Sequence, residues 1–120
     1  MIPEPQQSLL NNLVSSVFVL NHDLYIKYLN PAGEQLLGSS ASRVLDVKLT
    51  DIIEHTTLDL SLLTSIIKTG QGFTDNEVSL VIDDRQLLVE ISATLTNFNS
   101  EICVIIEARQ KDIKKKIRHK

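Results

Sequence analysis

The sequence predicts an α+β fold: a five-stranded antiparallel sheet with helices on one face and a further helix near the N-terminus. Three observations carry this prediction. Two strand-like runs come first, helical periodicity follows in the middle, and three runs with a period of two residues come last. The chain has 120 residues, which is enough for one hydrophobic core. The order β-β-α-α-α-β-β-β, with the short helical pieces after the first helix counted as one element, therefore fits a single domain.

The stretch from residue 26 to residue 38 is the clearest local signal. Asn30 follows a strand-like run and is a good N-cap, because its side-chain oxygen can accept a hydrogen bond from the first helical turn. Pro31 suits the first helical position, and Ala32 begins the apolar face of the short helix. Gly38 is expected to end that helix in a left-handed conformation. The stretch predicts a strand, a cap, a short helix and a stop.

The remaining elements follow from periodicity and turn chemistry. The expected strands cover residues 17–20, 24–29, 73–82, 87–96 and 102–107. The expected helices after the capped one cover residues 42–47, 50–54 and 57–69, the last ended by Gly70. Tight turns are expected at Asp83-Asp84 and over residues 97–100.

The two ends differ from the middle. Residues 1–7 predict a flexible tail, since they hold two prolines and two glutamines. Residues 8–110 are assigned to the folded domain, with Ser8 capping an amphipathic helix. Residues 111–120 hold six Lys or Arg, which fits either a solvated tail or the start of a linker helix capped by Asp112.

Composition narrows the class of protein. Apolar residues make up 42% and charged residues 22%, as in a globular domain. The net charge of −3 argues against binding of nucleic acid by the whole domain. No apolar run approaches the roughly 20 residues needed to span a bilayer, and the N-terminus lacks the pattern of a signal peptide. Cys103 is the only cysteine, so it cannot form an internal disulfide. We therefore expect a cytoplasmic location.

The pattern Asn-x-Ala-x-x-x-Leu-x-Gly after a strand resembles the start of a PAS sensory domain, and the element order matches that fold over nearly the whole chain. Residues 70–83, GQGFTDNEVSLVID, are similar to the corresponding stretch of the nitrogen regulation sensor histidine kinases of the NtrB family. Residues 9–13 and 30–37 also resemble that family.

The resemblance implies the N-terminal sensory domain of a homodimeric cytoplasmic kinase. Such a kinase phosphorylates the response regulator NtrC when nitrogen is short and favours dephosphorylation when the PII signal protein is bound. These 120 residues contain neither a His-Glu-x-x-x-Asn-Pro phosphoacceptor motif nor glycine-rich ATP-binding boxes. We expect no enzymatic activity from them alone.

No cofactor or metal is predicted. Haem-binding PAS domains use a histidine on their long helix, whereas His55 precedes the expected helix. Flavin photosensors use an Asn-Cys-Arg-Phe-Leu-Gln motif, which is absent. A buried free cysteine such as Cys103 behaves as a small hydrophobe. The acidic residues Asp75, Glu77, Asp83 and Asp84 fit a solvated turn better than a metal site.

The interior between helices and sheet is the candidate ligand cavity. Core packing explains its expected lining without a ligand, and no polar groups converge there in the sequence to give specificity. The candidate lining residues are Val19, Leu29, Ile52, Leu63, Ile67, Val89, Ile91 and Val104.

The other sheet face is the candidate dimer interface. Strand alternation points several apolar side chains away from the helices, and such a face is usually covered. The N-terminal helix, a second copy of the chain, or both are the candidate covers. The candidate interface residues are Leu9, Leu10, Leu13, Val14, Val81, Leu88 and Ile105. Two functions remain open: a dimerisation and signal-relay module of a histidine kinase, and a small-molecule sensor of another signalling protein.

Overall fold

The computed structural model describes residues 15–111. The flexible tail assigned to residues 1–7 and the helix expected to include Leu9, Leu10, Leu13 and Val14 lie outside the described residues. All but the first residue of the C-terminal segment 111–120 lies outside them as well.

One antiparallel sheet organises the fold. Its strands are β1 (Ser16–Leu20), β2 (Ile26–Leu29), β3 (His55–Thr56), β4 (Phe73–Ile82), β5 (Arg85–Phe98) and β6 (Glu101–Gln110). Their order across the sheet is β2-β1-β6-β5-β4-β3. The helices α1 (Pro31–Leu37), α2 (Ala41–Val44) and α3 (Ser61–Thr69) and a 3-10 helix (Leu49–Asp51) occur between β2 and β4 in the chain.

The prediction of five strands is corrected to six. The additional strand, β3, pairs His55 with Val81 and Thr56 with Leu80 on β4. Two residues are too few to show the alternation by which a strand is read from sequence.

The same pairing shortens the helix expected over residues 57–69. The Thr57 N–H donates to the Ser79 carbonyl at 3.1 Å, and the Ser79 N–H donates to the Thr57 hydroxyl at 3.0 Å. Thr57 is therefore held by β4, and α3 begins only at Ser61. The Asp59 carboxylate accepts both from the Ser61 N–H at 3.1 Å and from its hydroxyl at 2.7 Å.

The two short helices expected over residues 42–47 and 50–54 are also shorter than predicted. The chain takes a positive φ of 63° at Asp46, which is incompatible with a continuing helix. Beyond the 3-10 helix, the Glu54 N–H donates to the carbonyl of Val81 on β4 at 2.8 Å, so the chain has already joined the sheet there.

The hairpin turns agree with their sequence signals. Asp83 and Asp84 have φ values of 53° and 61°, and Asn99 and Ser100 have values of 51° and 66°. Two successive left-handed residues match the twist of antiparallel strands, and Asp and Asn tolerate this conformation better than most residues.

Asn30 connects α1 to the sheet. Its Oδ1 accepts from the Gly33 N–H at 2.8 Å, which is the predicted N-cap. The same oxygen accepts from the Val17 N–H on β1 at 3.0 Å, and the Asn30 Nδ2 donates to the Ser15 carbonyl at 3.0 Å. Pro31 occupies the first helical position and Gly38 ends the helix with a φ of 72°, both as expected.

The core lies between the helices and one sheet face, which we call the inner face. Leu20, Ile26, Leu63, Val78, Val89 and Val104 are among its fully buried members. The opposite side is called the outer face. Within residues 15–111, no buried side-chain polar atom lacks a hydrogen-bond partner.

Candidate ligand cavity and sheet surfaces

The cavity between the helices and the inner face is small. Its volume is about 40 Å³, whereas ligand pockets occupy roughly 300–1,000 Å³. It is lined by Phe18, Leu36, Leu37, Leu49, Ile53, Thr56, Leu58, Leu60, Leu63, Leu80, Ile82, Ile91, Ile106 and Ala108.

The chemistry of this lining gives little basis for recognition. Thr56 carries the only polar side chain among these residues, and its hydroxyl already accepts from the Leu58 N–H at 3.1 Å. A pocket that selects a ligand normally has several polar groups aimed at it. The described cavity favours a packed core over a binding site.

Seven of the eight candidate cavity residues lie in or against the core, and they form three groups. Leu63 and Ile91 line the cavity. Leu29, Val89 and Val104 are buried in the core, and Ile52 and Ile67 pack against it while partly exposed.

Val19 is a correction. It lies opposite Tyr28 and Ile105, on the outer face, while its neighbours Phe18 and Leu20 enter the core. A strand shows its neighbours to opposite faces, and Val17 to Leu20 contains apolar residues at every position. The sequence therefore did not reveal which face Val19 occupies.

The outer face carries the three apolar residues that strand alternation assigned to it. Val81, Leu88 and Ile105 each lie between two core residues of their own strand, and each is half-buried. They do not form one continuous patch. Ile105 pairs with Thr94, which is six residues along β5 from Leu88, a separation of roughly 20 Å.

A polar region lies between these two apolar ends. Glu90 pairs with Arg109, and Ser92 pairs with Glu107. Together with Ser15 these four side chains line a shallow depression of about 40 Å³. Alternation places Glu90, Ser92 and Glu107 on this face, but only the strand register brings them together with Arg109 in one charged region.

Around Ile105 the outer face is more apolar. Val19 is only 4% exposed and Cys103 is fully buried. The rings of Tyr28 and Phe98 approach with centroids 6.1 Å apart. Burial raises the pKa of the Cys103 thiol, and the nearby Glu101 carboxylate adds to this effect. A buried thiol with a raised pKa is a poor nucleophile.

The tip of the β5–β6 hairpin carries a second group of exposed apolar side chains, which strand alternation alone would assign to the core. β4 pairs with β5 only as far as Ala93, and β1 pairs with β6 only from Val104 onwards, so within the described residues the tip has no neighbouring strand on either side. Leu95 and Ile102 lie beyond these points and are 40% and 52% exposed. A hollow of about 190 Å³ lies beside them, lined also by Thr96 and Asn97.

The requirements of a metal site and of a membrane-spanning helix can be compared with residues 15–111. They contain no group of three or more His, Cys, Asp or Glu side chains positioned to hold a metal ion. His55 is exposed on β3, and His22 lies 3.2 Å from the carboxylate of its neighbour Asp23. None of the helices in this part of the chain has the length and hydrophobicity needed to span a membrane.

Comparison with known proteins places this geometry in a family. The PAS fold family matches residues 6–110. The Sensory histidine kinase/phosphatase NtrB of Vibrio alginolyticus is 34% identical over 110 residues, which are 92% of this chain and 31% of that protein. The protein of the same name from Klebsiella oxytoca is 37% identical over 92 residues, or 77% of this chain and 26% of that protein. The chain thus spans about a third or less of the length of these relatives.

Solved structures give the same result. The crystal structure of the PAS domain of nitrogen regulation protein NR(II) from Vibrio parahaemolyticus superposes with a TM-score of 0.77 at 34% identity. The match covers 92% of this chain and 100% of that domain. The PAS domain of an HTR-like protein from Haloarcula marismortui, at 19% identity and a TM-score of 0.65, shares the fold. The chain therefore belongs to the PAS family, and it is similar to the PAS domain of the NtrB sensory histidine kinases.

Proposed function

We propose that this chain is the sensory and dimerisation domain of a cytoplasmic NtrB-type histidine kinase that controls nitrogen regulation. The observation that carries the proposal is the 34% identity to the NR(II) PAS domain over that domain's full length. Its partners would be a second copy of itself and the kinase domains of a longer chain. The PII signal protein and the response regulator NtrC would act through that longer protein.

Relay by contact is favoured over detection of a small molecule. The cavity of about 40 Å³ leaves little room for a ligand, and its lining is apolar apart from Thr56. A colourless protein without bound mass, measured by ultraviolet–visible absorption and native mass spectrometry, is the expected result. A stoichiometric bound compound would support the small-molecule sensor instead.

Dimerisation is assigned to the outer face together with the segment holding Leu9, Leu10, Leu13 and Val14. The apolar end at Ile105 is the favoured contact, since Ile105 is only partly buried within one chain and Tyr28, on the same face, is 42% exposed, so both have area left to bury. Burial of a Leu or Ile side chain contributes roughly 1.5–3 kcal/mol. A symmetric contact uses each such residue twice, which offsets part of the entropic cost of association.

The nitrogen-signalling role is tested with a chimera. Residues 1–120 replace the matching segment of the Vibrio alginolyticus NtrB protein, and kinase and phosphatase activities towards NtrC are measured with and without PII. We expect the chimera to retain the response to PII. The control replaces the same segment with the Haloarcula marismortui PAS domain, which shares the fold at low identity. If both chimeras respond equally, or neither responds, the proposed specificity is wrong.

A further inference from the structure

The chain leaves the sheet at a residue that is tied to a distant strand. The Lys111 N–H donates to the carbonyl of Leu88 on β5 at 2.8 Å and so continues the β5–β6 ladder by one position. The Lys111 Nζ donates to the carbonyl of Asn76 on β4, also at 2.8 Å. Because β5 lies between β6 and β4, the Lys111 side chain crosses one whole strand to make this contact.

The acceptor on β4 belongs to an irregularity of the sheet. The pairing of β4 with β5 shifts register between Asp75 and Val78, so Asn76 lies inside a β-bulge. The Asp75 carboxylate accepts from the Glu77 N–H at 3.1 Å and helps to hold the bulged shape. Bulges re-aim backbone groups away from the regular ladder, and here a carbonyl becomes the acceptor for Lys111.

Lys111 makes one hydrogen bond to β5 and one to β4. Together they restrain both the position of the chain at the end of β6 and the direction in which it continues. The main-chain bond alone would allow the chain beyond β6 to swing about the end of the ladder. The ammonium bond, although exposed to solvent, adds a second restraint on the far side of β5. A change in the bulge would move the Asn76 carbonyl and release one of these two restraints, while the core beneath the sheet stays packed.

We propose that the β4 bulge and Lys111 form a latch that sets where and in which direction the C-terminal segment leaves the domain, so that the state of the bulge is passed to whatever follows. The latch is defined by Asp75, Asn76 and Lys111. Its signalling role rests on the proposed function, because a relay needs a downstream part to control.

The first test measures the latch in the 120-residue chain by amide hydrogen exchange. Lys111→Met keeps the aliphatic stem and removes the donor, so exchange at the Lys111 amide should become roughly two- to tenfold faster, the effect of one lost hydrogen bond. Lys111→Arg restores a donor and should restore slow exchange. Lys68→Met, an exposed lysine in the last turn of α3, is the matched control. Unchanged exchange in Lys111→Met overturns the latch.

The second test substitutes Asp75 in the β4 bulge and leaves Lys111 unchanged. Asp75→Ala removes the carboxylate that holds the bulge, and Asp75→Asn keeps an acceptor oxygen. Faster exchange at the Lys111 amide is expected in Asp75→Ala but not in Asp75→Asn. The double variant Asp75→Ala with Lys111→Met should exchange no faster than Lys111→Met alone, since both remove the same contact. Additive effects of the two substitutions would contradict the coupling.

The third test places the same substitutions in the NtrB chimera. Lys111→Met should change the ratio of kinase to phosphatase activity at least twofold, whereas Lys68→Met should leave it unchanged. An unsubstituted chimera that ignores PII would count against the proposed function, and the exchange data would still decide the latch. A responsive chimera whose ratio is the same with Lys111→Met would refute the relay role.

Discussion

Replacement of Asn30 by Ala tests how the domain is held together. The sequence alone would put the cost at about 1 kcal/mol, the usual effect of a lost N-cap. The structure adds two further hydrogen bonds made by the same side chain, from the Val17 N–H at 3.0 Å and to the Ser15 carbonyl at 3.0 Å. Each contributes about 0.5–1.5 kcal/mol in a partly buried setting.

The expected loss for Asn30→Ala is therefore about 2–4 kcal/mol, with the three bonds treated as independent. Asn30→Asp is the informative control, because a carboxylate still accepts from the Gly33 and Val17 N–H groups but cannot donate to the Ser15 carbonyl. We expect it to lose only about 1 kcal/mol at neutral pH.

Urea unfolding followed by circular dichroism gives both values, provided that the slope of the free energy of unfolding against urea stays constant. A loss near 1 kcal/mol for Asn30→Ala would mean that only the local cap matters. Equal losses for the Ala and Asp variants would contradict the separate role assigned to the two N–H groups.

Four other predictions follow from the fold and the proposed role. Gly72→Ala should destabilise the domain by about 1–3 kcal/mol in the same unfolding assay, since the added methyl would collide with the Ala93 carbonyl oxygen; unchanged stability would refute this close approach. Incubation with radiolabelled ATP should leave the 120-residue chain unlabelled, and clear labelling would show a kinase activity that its motifs do not explain. Leu88→Glu with Ile105→Glu should yield a folded monomer in sedimentation velocity, and a persistent dimer would place the interface elsewhere. The free energy of unfolding should fall as pH rises from about 9.0 through the raised pKa of the buried Cys103 thiol, because the thiol of the unfolded chain loses its proton at a lower pH than that of the folded chain. If the free energy of unfolding depends on pH in the same way in Cys103→Ala, this thiol is not the cause.

The sequence was most informative where a local rule determines the structure. The cap at Asn30, the stop at Gly38 and the turn at Asp83-Asp84 all depend on residue type and immediate neighbours, and all three appear in the structure as expected. Strand alternation in β4, β5 and β6 also assigned Val81, Leu88 and Ile105 to the outer face correctly.

The sequence-based predictions were wrong where contacts between residues distant in the chain determine the local structure. β3 exists because His55 and Thr56 pair with β4, and the hydrogen bonds between Thr57 and Ser79 delay the start of α3. Val19 lies in a run that is apolar at every position, so its face is set only by pairing with Tyr28 and Ile105. The distances between candidate interface residues were likewise unknown until the strand register was known.

Asn30 and Lys111 both make contacts that the sequence does not predict. The sequence predicts only local roles for them: Asn30 as a helix cap, and Lys111 as the first residue of a basic segment. In the structure each joins elements far apart in the chain: Asn30 joins α1 to β1, and Lys111 joins the end of β6 to β4. Lys111 thereby links the end of β6 to β4 across β5, in a domain whose cavity has little room for a ligand. The Lys111 ammonium bond is exposed, whereas the Asn30 bonds are partly buried, so substitution of Lys111 should alter the proposed relay with a smaller loss of stability than substitution of Asn30.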